Sequence, residues 1–379
     1  MLQMPFKPRA QILLQLGEQL IKNENIAILE LVKNAYDADA KKVVVNMRSI
    51  DSKDIGYIEI HDDGCGMSID IIRDIWMEPG NSHKKGVVER KERSELGRLP
   101  IGEKGIGRFG VHKLGKVIEL VSKMEGRQEV ALNIDWGIFE NAEYLSDVNI
   151  NIQERKAEIF KDGKTGTYIR IRNLSTNWTS MLRNLHRSLT ALNSPFDSNQ
   201  SFKVVLKTDK LEWLEGLISF KDIKEYALFE CDMKLEKNEI TKFEYNFRPY
   251  DVMYGISKRK VVFDKTVIMR KRVNKNGKND FEDINLSKYE IGDIRIKIYA
   301  FDRDSSILNN FIPDKAAFKN YLDENGGISV FRDGMRILDY GEPDNDWLGL
   351  DLKRVNAPTK NLSNNIILGA VYLDRDNSG

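Results

Sequence analysis

Two apolar helical segments open the chain, and a long series of strand-like segments follows them. In residues 10–23, Ile12, Leu13, Leu16 and Leu20 fall on one stripe at helical spacing, and residues 26–38 repeat this pattern. Alternating β-branched segments then lie near residues 42–48, 56–61, 116–123, 129–135, 147–153 and 166–172. Helices that precede a mixed sheet in this way predict a two-layer α+β domain.

The strand pattern restarts after a polar stretch rich in Asn, Ser, Pro and Asp at residues 190–200. It begins at SFKVVLK and continues with strands near 242–248, 259–270 and 293–301, a helix near 314–323, and a strand, a helix and a strand over 328–373. We therefore expect two domains, 1–195 and 196–379, both of the α+β class.

Composition excludes several classes of protein. The 379 residues include 59 Lys and Arg against 58 Asp and Glu, so no global field favours nucleic acid or membrane, and such a role would need a local patch. Cys65 and Cys231 form no CxxC motif, which leaves neither a disulfide framework nor a zinc site to infer. Because the N-terminus lacks an apolar signal core and no long apolar run occurs, we expect a cytoplasmic protein without a membrane span.

Three polar residues interrupt the second apolar helix. Glu30, Asn34 and Asp37 stand at i, i+4 and i+7 and therefore share one helical face. Read alone, the pattern fits either a solvated face or a functional one, because polar groups that are buried need partners.

Two glycine clusters follow at positions where the backbone can turn sharply. Asp62 to Met67 (DDGCGM) comes directly after a strand, and Gly102 to Gly107 (GEKGIG) opens a helix, where N–H groups can face an anion. Each is weak alone, since the first also fits an ordinary turn and the second a Rossmann loop. A Rossmann strand, however, should directly precede the glycines, and a polar stretch precedes them here.

Together with Gly166-Thr167 at the start of a later strand, these segments resemble the N box, G1 box, G2 box and terminal Gly-Thr motif of the GHKL ATPases. That superfamily includes gyrase, the large heat-shock chaperone, histidine kinases and MutL-type proteins. The resemblance covers about residues 20–172 and implies a Bergerat-type two-layer fold that binds ATP and Mg²⁺.

The resemblance also implies a role for each residue. Glu30 would be the general base, Asn34 the Mg²⁺ ligand, and Asp37 a support for the base, while Asp62 rather than its neighbour Asp63 would bind the adenine amino group. The adenine end would further include Gly64, Gly66, Met67 and a water shared with Thr167. The phosphates would be wrapped by Gly102, Lys104, Gly105, Ile106 and Gly107.

The polar stretch at residues 78–101 occupies the place of the family's ATP lid. In a lid of this kind Lys84 or Lys85 would reach the phosphates. The alternative is a solvated loop with helical charge pairs.

Part of the second domain is similar to the transducer domain of MutL-, gyrase- and Morc-type proteins. The similar segments are FRDGMRIL from Phe331, WLGL from Trp347 and VNAPTK from Val355. In that family a lysine reaches back to the γ-phosphate, which favours Lys360, with Lys353 and Arg354 as alternatives; an exposed cation without this role is equally compatible.

Residues 258–278 carry nine basic residues and one acidic residue. They could bind a phosphate backbone, or they could be the lysine-rich edge strand that keeps a sheet soluble. The residues expected to contact DNA are Lys258, Arg259, Lys260, Arg270, Lys271 and Arg272.

The sequence thus predicts a Mg²⁺-dependent ATPase that forms a homodimer on binding ATP and acts as a clamp. DNA is the first expected client, in repair, DNA organisation or phage defence. A chaperone-like clamp on proteins and a nucleotide-gated binding module with little turnover are the alternatives.

Overall fold

The chain divides into two compact units, Met1–Thr190 with Ser201–Glu215 and Ala191–Gln200 with Gly216–Gly379. The computed structural model describes residues 3, 6–78, 80, 92–101, 107–197, 202–263, 265–275, 278–338, 340–357 and 361–373. Both units combine a β-sheet with helices, which confirms the mixed α+β class.

A seven-stranded sheet in the order β5-β4-β3-β6-β2-β1-β7 forms the first unit. Neighbouring strands are antiparallel except for β1 and β7, which are parallel. The strands are β1 Lys42–Arg48, β2 Tyr57–Asp62, β3 Gly115–Lys123, β4 Glu129–Asp135, β5 Ile152–Arg155, β6 Gly166–Leu174 and β7 Lys203–Thr208.

The alternation seen in the sequence becomes a buried sheet face. Val43, Val45 and Met47 in β1 and Ile58 in β2 are fully buried, while the residues between them are partly exposed. Such a period of two is what a strand covered on one face requires.

Helix α1 (Ile12–Leu20) and helix α2 (Glu24–Asp37) precede the sheet. Asn23 caps α2, since its side chain accepts the Ile26 N–H at 3.0 Å, and Glu24 in the first turn suits the positive end of the helix dipole. Further helical segments in this unit are Ile69–Ile71, Ile72–Trp76, Gly107–Lys113, Gly137–Asn141, Leu145–Asp147, Leu182–Ala191 and Leu211–Leu214.

Strand β7 lies in the first unit, although the sequence pattern suggested that SFKVVLK begins the second domain. It pairs in parallel with β1, from Lys42 opposite Lys203 to Met47 opposite Thr208. The strand was recognised by its local pattern, but its partner lies 161 residues earlier in the chain.

An eight-stranded sheet in the order β10-β9-β8-β14-β17-β15-β16, with β11 also on β9, forms the second unit beside a β12–β13 hairpin. Phe220, Tyr299, Phe301, Phe318 and Leu322 belong to its core. The strands are β8 Phe229–Glu236, β9 Glu239–Phe247, β10 Arg259–Val262, β11 Val267–Ile268, β12 Arg270–Lys275, β13 Lys278–Asp283, β14 Ile294–Ala300, β15 Gly327–Arg332, β16 Met335–Ile337 and β17 Ile367–Leu373, and the helical segments are Phe220–Ile223, Lys224–Tyr226, Leu286–Tyr289, Ser305–Phe311, Lys315–Asn325, Leu350–Asn356 and Asn364–Ile366.

Within the described ranges, no helix has the length and apolar character needed to cross a membrane.

Candidate functional site

Asp62 is a carboxylate held below the surface at the end of β2. Its side chain is 7% exposed, and its Oδ1 accepts the N–H groups of Gly64 at 2.9 Å and Thr167 at 3.1 Å. Burial raises the pKa of Asp62 to about 6, although the two backbone donors act in the opposite direction. Asp62 therefore joins the loop that follows β2 to the start of β6.

The loop after β2 passes so close to other backbone segments that it has no room for side chains at two positions. A Cβ on Gly64 would lie 2.5 Å from the Ala38 carbonyl oxygen, and one on Gly66, where φ is +67°, would lie 2.0 Å from that of Lys123. Only glycine fits both the left-handed conformation and the contact. The Cys65 N–H donates to the Ala38 carbonyl at 2.8 Å, so this loop meets the end of α2.

The polar residues predicted to share a face lie on α2, whose end meets that loop. Glu30 forms an ion pair with Lys33, whose Nζ is 2.9 Å from Oε1, and Glu30 and Asn34 are both partly exposed. Asp37, one turn further on, accepts the N–H of Ile101 at 2.7 Å. The three residues predicted to share a face thus lie on one helix whose end is bonded to the residue before the second glycine cluster.

Residues 92–101 are anchored to the end of α2 by contacts that the sequence did not suggest. Asp39 accepts the Ser94 hydroxyl at 2.5 Å and the Leu96 N–H at 3.1 Å. The buried Arg98 guanidinium donates to the Tyr36 carbonyl at 3.2 Å and to the Ala40 carbonyl at 2.7 Å. A cation suits the negative end of a helix dipole, but a single arginine 62 residues away from Tyr36 gives no sequence signal of this contact.

A family model described as "Histidine kinase-, DNA gyrase B-, and HSP90-like ATPase" matches residues 22–167. This segment spans α2, the loop after β2 and the start of β6. The chain carries a GHKL-type ATPase domain.

Two further comparisons are with individual proteins. A putative type II restriction enzyme, HgiDII of Herpetosiphon aurantiacus, is 27% identical over 191 residues, which cover 50% of this chain and 29% of that protein. The chain therefore matches less than a third of the length of this relative. The crystal structure of the N-terminal domain of a DNA repair protein is 11% identical with a TM-score of 0.46, covering 97% of this chain and 87% of that one.

The two adjacent aspartates of the GHKL domain have different partners. Whereas Asp62 is buried, Asp63 is exposed, and its Oδ1 accepts the N–H groups of Lys41 and Lys42, each at 2.8 Å. Asp63 thus fixes the start of β1, whereas Asp62 bonds the loop after β2 and the start of β6.

Several predicted GHKL site residues lie outside the described residues. Gly107 is described as the first residue of the 3-10 helix Gly107–Lys113. Those outside are Lys84, Lys85, Gly102, Lys104, Gly105, Ile106 and Lys360.

Ser122 in β3 belongs to the same site and was missed by the sequence analysis. It is fully buried and bonds both the loop after β2 and the start of β6. One serine in a strand carries no pattern, so only the tertiary structure reveals it.

Three of the six basic residues expected to contact DNA are matched by acidic neighbours. Arg270 lies 2.9 Å from Asp283, and Lys271 lies 3.4 Å from Glu282, across the β12–β13 hairpin. Lys260 similarly pairs with Glu244 at 2.9 Å on the neighbouring strand. The residues of these ion pairs are exposed or partly exposed, and the pairs reduce the positive potential that the sequence alone suggested.

Lys353 and Arg354, the alternatives to Lys360, lie in the last turn of the helix Leu350–Asn356. The Lys353 ammonium donates to the Leu348 carbonyl at 3.0 Å, and its side chain is exposed.

Proposed function

We propose that the first unit binds ATP with Mg²⁺ and hydrolyses it, and that bound ATP pairs two copies of the chain into a clamp. The observation that carries this proposal is the buried Asp62 carboxylate, which lies in a glycine-lined loop of a GHKL-type domain. Ligand sites commonly combine such a shaped wall with a few polar groups.

At the adenine end, Asp62 accepts the amino hydrogen of the base. Both of its hydrogen bonds to the described residues are made by Oδ1, so Oδ2 is the oxygen that would face the ligand. Thr167, whose N–H already bonds Asp62, adds its hydroxyl and a shared water, while Gly64 and Gly66 let the backbone approach the purine.

At the phosphate end, Asn34 supplies the protein oxygen for Mg²⁺. No group of three His, Cys, Asp or Glu side chains in the described ranges is arranged to hold a metal. This donor set fits Mg²⁺ because that ion commonly uses one or two protein oxygens and takes its other ligands from phosphates and water. When bound, Mg²⁺ would neutralise phosphate charge.

Glu30 is the proposed general base for the attacking water. It lies one turn from Asn34 on α2, is 27% exposed and is held by Lys33, so water can reach an oriented carboxylate. Positioning and charge neutralisation account for most of the acceleration of phosphoryl transfer, so a single base suffices.

For the clamp, DNA is the client we favour. The similarity to a protein named as a putative type II restriction enzyme supports it. Lys258, directly before β10, Arg259 in β10 and Arg272 in β12 are cations that have no carboxylate partner among the described residues. A chaperone-like clamp, or a binding module with little turnover, would give different results in the experiment below.

Glu30→Ala tests the chemistry and the clamp together. We expect the variant to bind ATP, to release phosphate about a hundredfold to ten-thousandfold more slowly, and to accumulate as a dimer in light scattering with ATP and Mg²⁺. Glu24→Ala, in the first turn of the same helix, is the matched control and should hydrolyse ATP normally. Normal hydrolysis by Glu30→Ala would exclude it as the base, and a chain that stays monomeric at saturating ATP would exclude the clamp.

A further inference from the structure

The Ser122 hydroxyl joins three elements around the adenine end of the site. Its oxygen lies 2.9 Å from the Met67 nitrogen, 3.0 Å from the Gly166 carbonyl oxygen and 3.0 Å from the Thr167 hydroxyl oxygen. Ser122 is fully buried, so water does not reach its hydroxyl and these three neighbours share its bonding capacity.

Counting donors and acceptors fixes the direction of each bond. A hydroxyl has one proton and two lone pairs. The Met67 N–H can only donate and the Gly166 carbonyl can only accept, so Ser122 accepts from the first and donates to the second. The remaining lone pair of Ser122 is used only if Thr167 donates its proton to it. This arrangement satisfies all three contacts, whereas the reverse direction removes the Ser122 bond to the Gly166 carbonyl and leaves one lone pair of Ser122 unused.

The consequence is that the Thr167 hydroxyl has no proton left for a ligand. Its oxygen can still accept, and the neighbouring Asp62 carboxylate also only accepts. Two adjacent acceptors favour a ligand edge that donates, such as a 6-amino purine, and disfavour one that presents an oxygen at the same place.

We propose that Ser122 is a positioning residue that sets base selectivity, because it holds Thr167 as an acceptor and so favours 6-amino over 6-oxo purine nucleotides. This inference rests on the proposed function, since it assumes that the first unit binds a purine nucleotide beside Asp62. A role of Ser122 in packing alone would lower the affinity for all nucleotides equally, whereas a role in selectivity changes the ratio between them.

The test measures the dissociation constants of ATP and inosine triphosphate for the full chain by calorimetry. Inosine triphosphate carries an oxygen in place of the 6-amino group. In Ser122→Ala the Thr167 proton is released and can donate to that oxygen, so we expect the preference for ATP to fall about tenfold. Thr165→Ala is the matched control: its hydroxyl donates to the Gly64 carbonyl at 2.8 Å in the same region, and its loss should leave the ratio unchanged.

A double-mutant cycle shows whether Ser122 acts through Thr167. Thr167→Val keeps the shape and removes the hydroxyl, and in that background Ser122→Ala should no longer change the ratio. Ser122→Cys, which keeps the side-chain volume, should reproduce the loss of preference even if the alanine variant folds poorly. An unchanged ratio in both Ser122 variants, or the same change without the Thr167 hydroxyl, would overturn the inference alone. A parent chain that binds neither nucleotide would overturn the proposed function itself.

Discussion

The Asp37 carboxylate accepts the backbone N–H of Ile101 at 2.7 Å. Asp37 is the last residue of α2, and Ile101 directly precedes the glycine cluster that begins at Gly102. This bond ties the helix that carries Glu30 and Asn34 to the chain that leads into the proposed phosphate-binding segment. We therefore propose that Asp37 acts as a positioning residue in the proposed site.

Two substitutions of Asp37 should distinguish the effect of its hydrogen bond to Ile101 from the effect of its negative charge. We expect Asp37→Ala to raise the KM for ATP about fivefold, because a lost hydrogen bond of about 1 kcal/mol lets the start of the glycine cluster move, with a smaller effect on kcat. Asp37→Asn keeps one acceptor oxygen and should restore most of the affinity. Steady-state phosphate release checks both variants, and an asparagine variant as weak as the alanine one would indicate that the negative charge matters more than the bond.

Asp62 and Asp63 should respond differently to the same substitution. Asp62→Asn should weaken ATP binding about tenfold to hundredfold, the value of a charge-assisted hydrogen bond of roughly 1.5–3 kcal/mol. Asp63→Asn should leave binding nearly unchanged and lower stability slightly, since its bonds go to the N–H groups of Lys41 and Lys42. Titration with a fluorescent ATP analogue compares the two, and the reverse ranking would show that the register of the motif is wrong.

The sequence could predict those parts of the site that local patterns encode. The polar face of α2 follows from helical spacing, and the loop after β2 follows from a strand that ends in aspartate and two glycines. Ser122 and Arg98 could not be predicted, because each acquires its role from chain segments more than 40 residues away. The position of β7 was missed for the same reason: a strand pattern shows that a strand forms but not which strand it joins.

The raised pKa of Asp62 predicts a specific pH dependence of stability. Because its pKa rises from 3.8 to about 6 on folding, the folded chain holds this proton more tightly than the unfolded chain. The contribution of Asp62 to the free energy of unfolding is therefore fully present below pH 3.8 and is lost as the pH rises through about 6. Between these values the ligand-free parent should lose on the order of 3 kcal/mol relative to Asp62→Asn. Urea unfolding of both proteins across this range measures the difference, and parallel curves would contradict the burial of an ionisable Asp62.

Gly66 and Gly126 have the same φ of +67°. Replacing each of them with alanine therefore distinguishes the effect of backbone strain from the effect of a close contact. A Cβ on Gly126 would meet nothing within 4 Å, whereas one on Gly66 would lie 2.0 Å from the Lys123 carbonyl oxygen. Gly126→Ala should lower stability by about 1–2 kcal/mol through the left-handed conformation alone and keep ATP binding. Gly66→Ala should lower stability further and abolish binding, because the loop after β2 has to move. Urea unfolding and nucleotide titration of the pair check this, and equal effects would show that the contact at Gly66 is unimportant.

The hairpin β12–β13 allows a test of DNA contact that uses its own ion pairs. Asp283 and Glu282 pair with Arg270 and Lys271, so these cations are partly neutralised in the free chain. If the hairpin lies on DNA, Asp283→Asn with Glu282→Gln should strengthen binding and steepen the slope of log affinity against log salt by up to about 1.8, the value for two more phosphate contacts.

The opposite substitution completes the DNA experiment. Replacing Arg270, Lys271 and Arg272 with alanine should weaken binding and flatten the salt slope, because cations that neutralise phosphates release counterions when they bind. Gel-shift titrations of the parent and both variants over a range of salt concentrations measure the two slopes. Equal slopes in all three proteins would place DNA away from the hairpin. A parent that binds no DNA would favour the protein clamp or the binding module, without contradicting the proposed ATP site of the first unit.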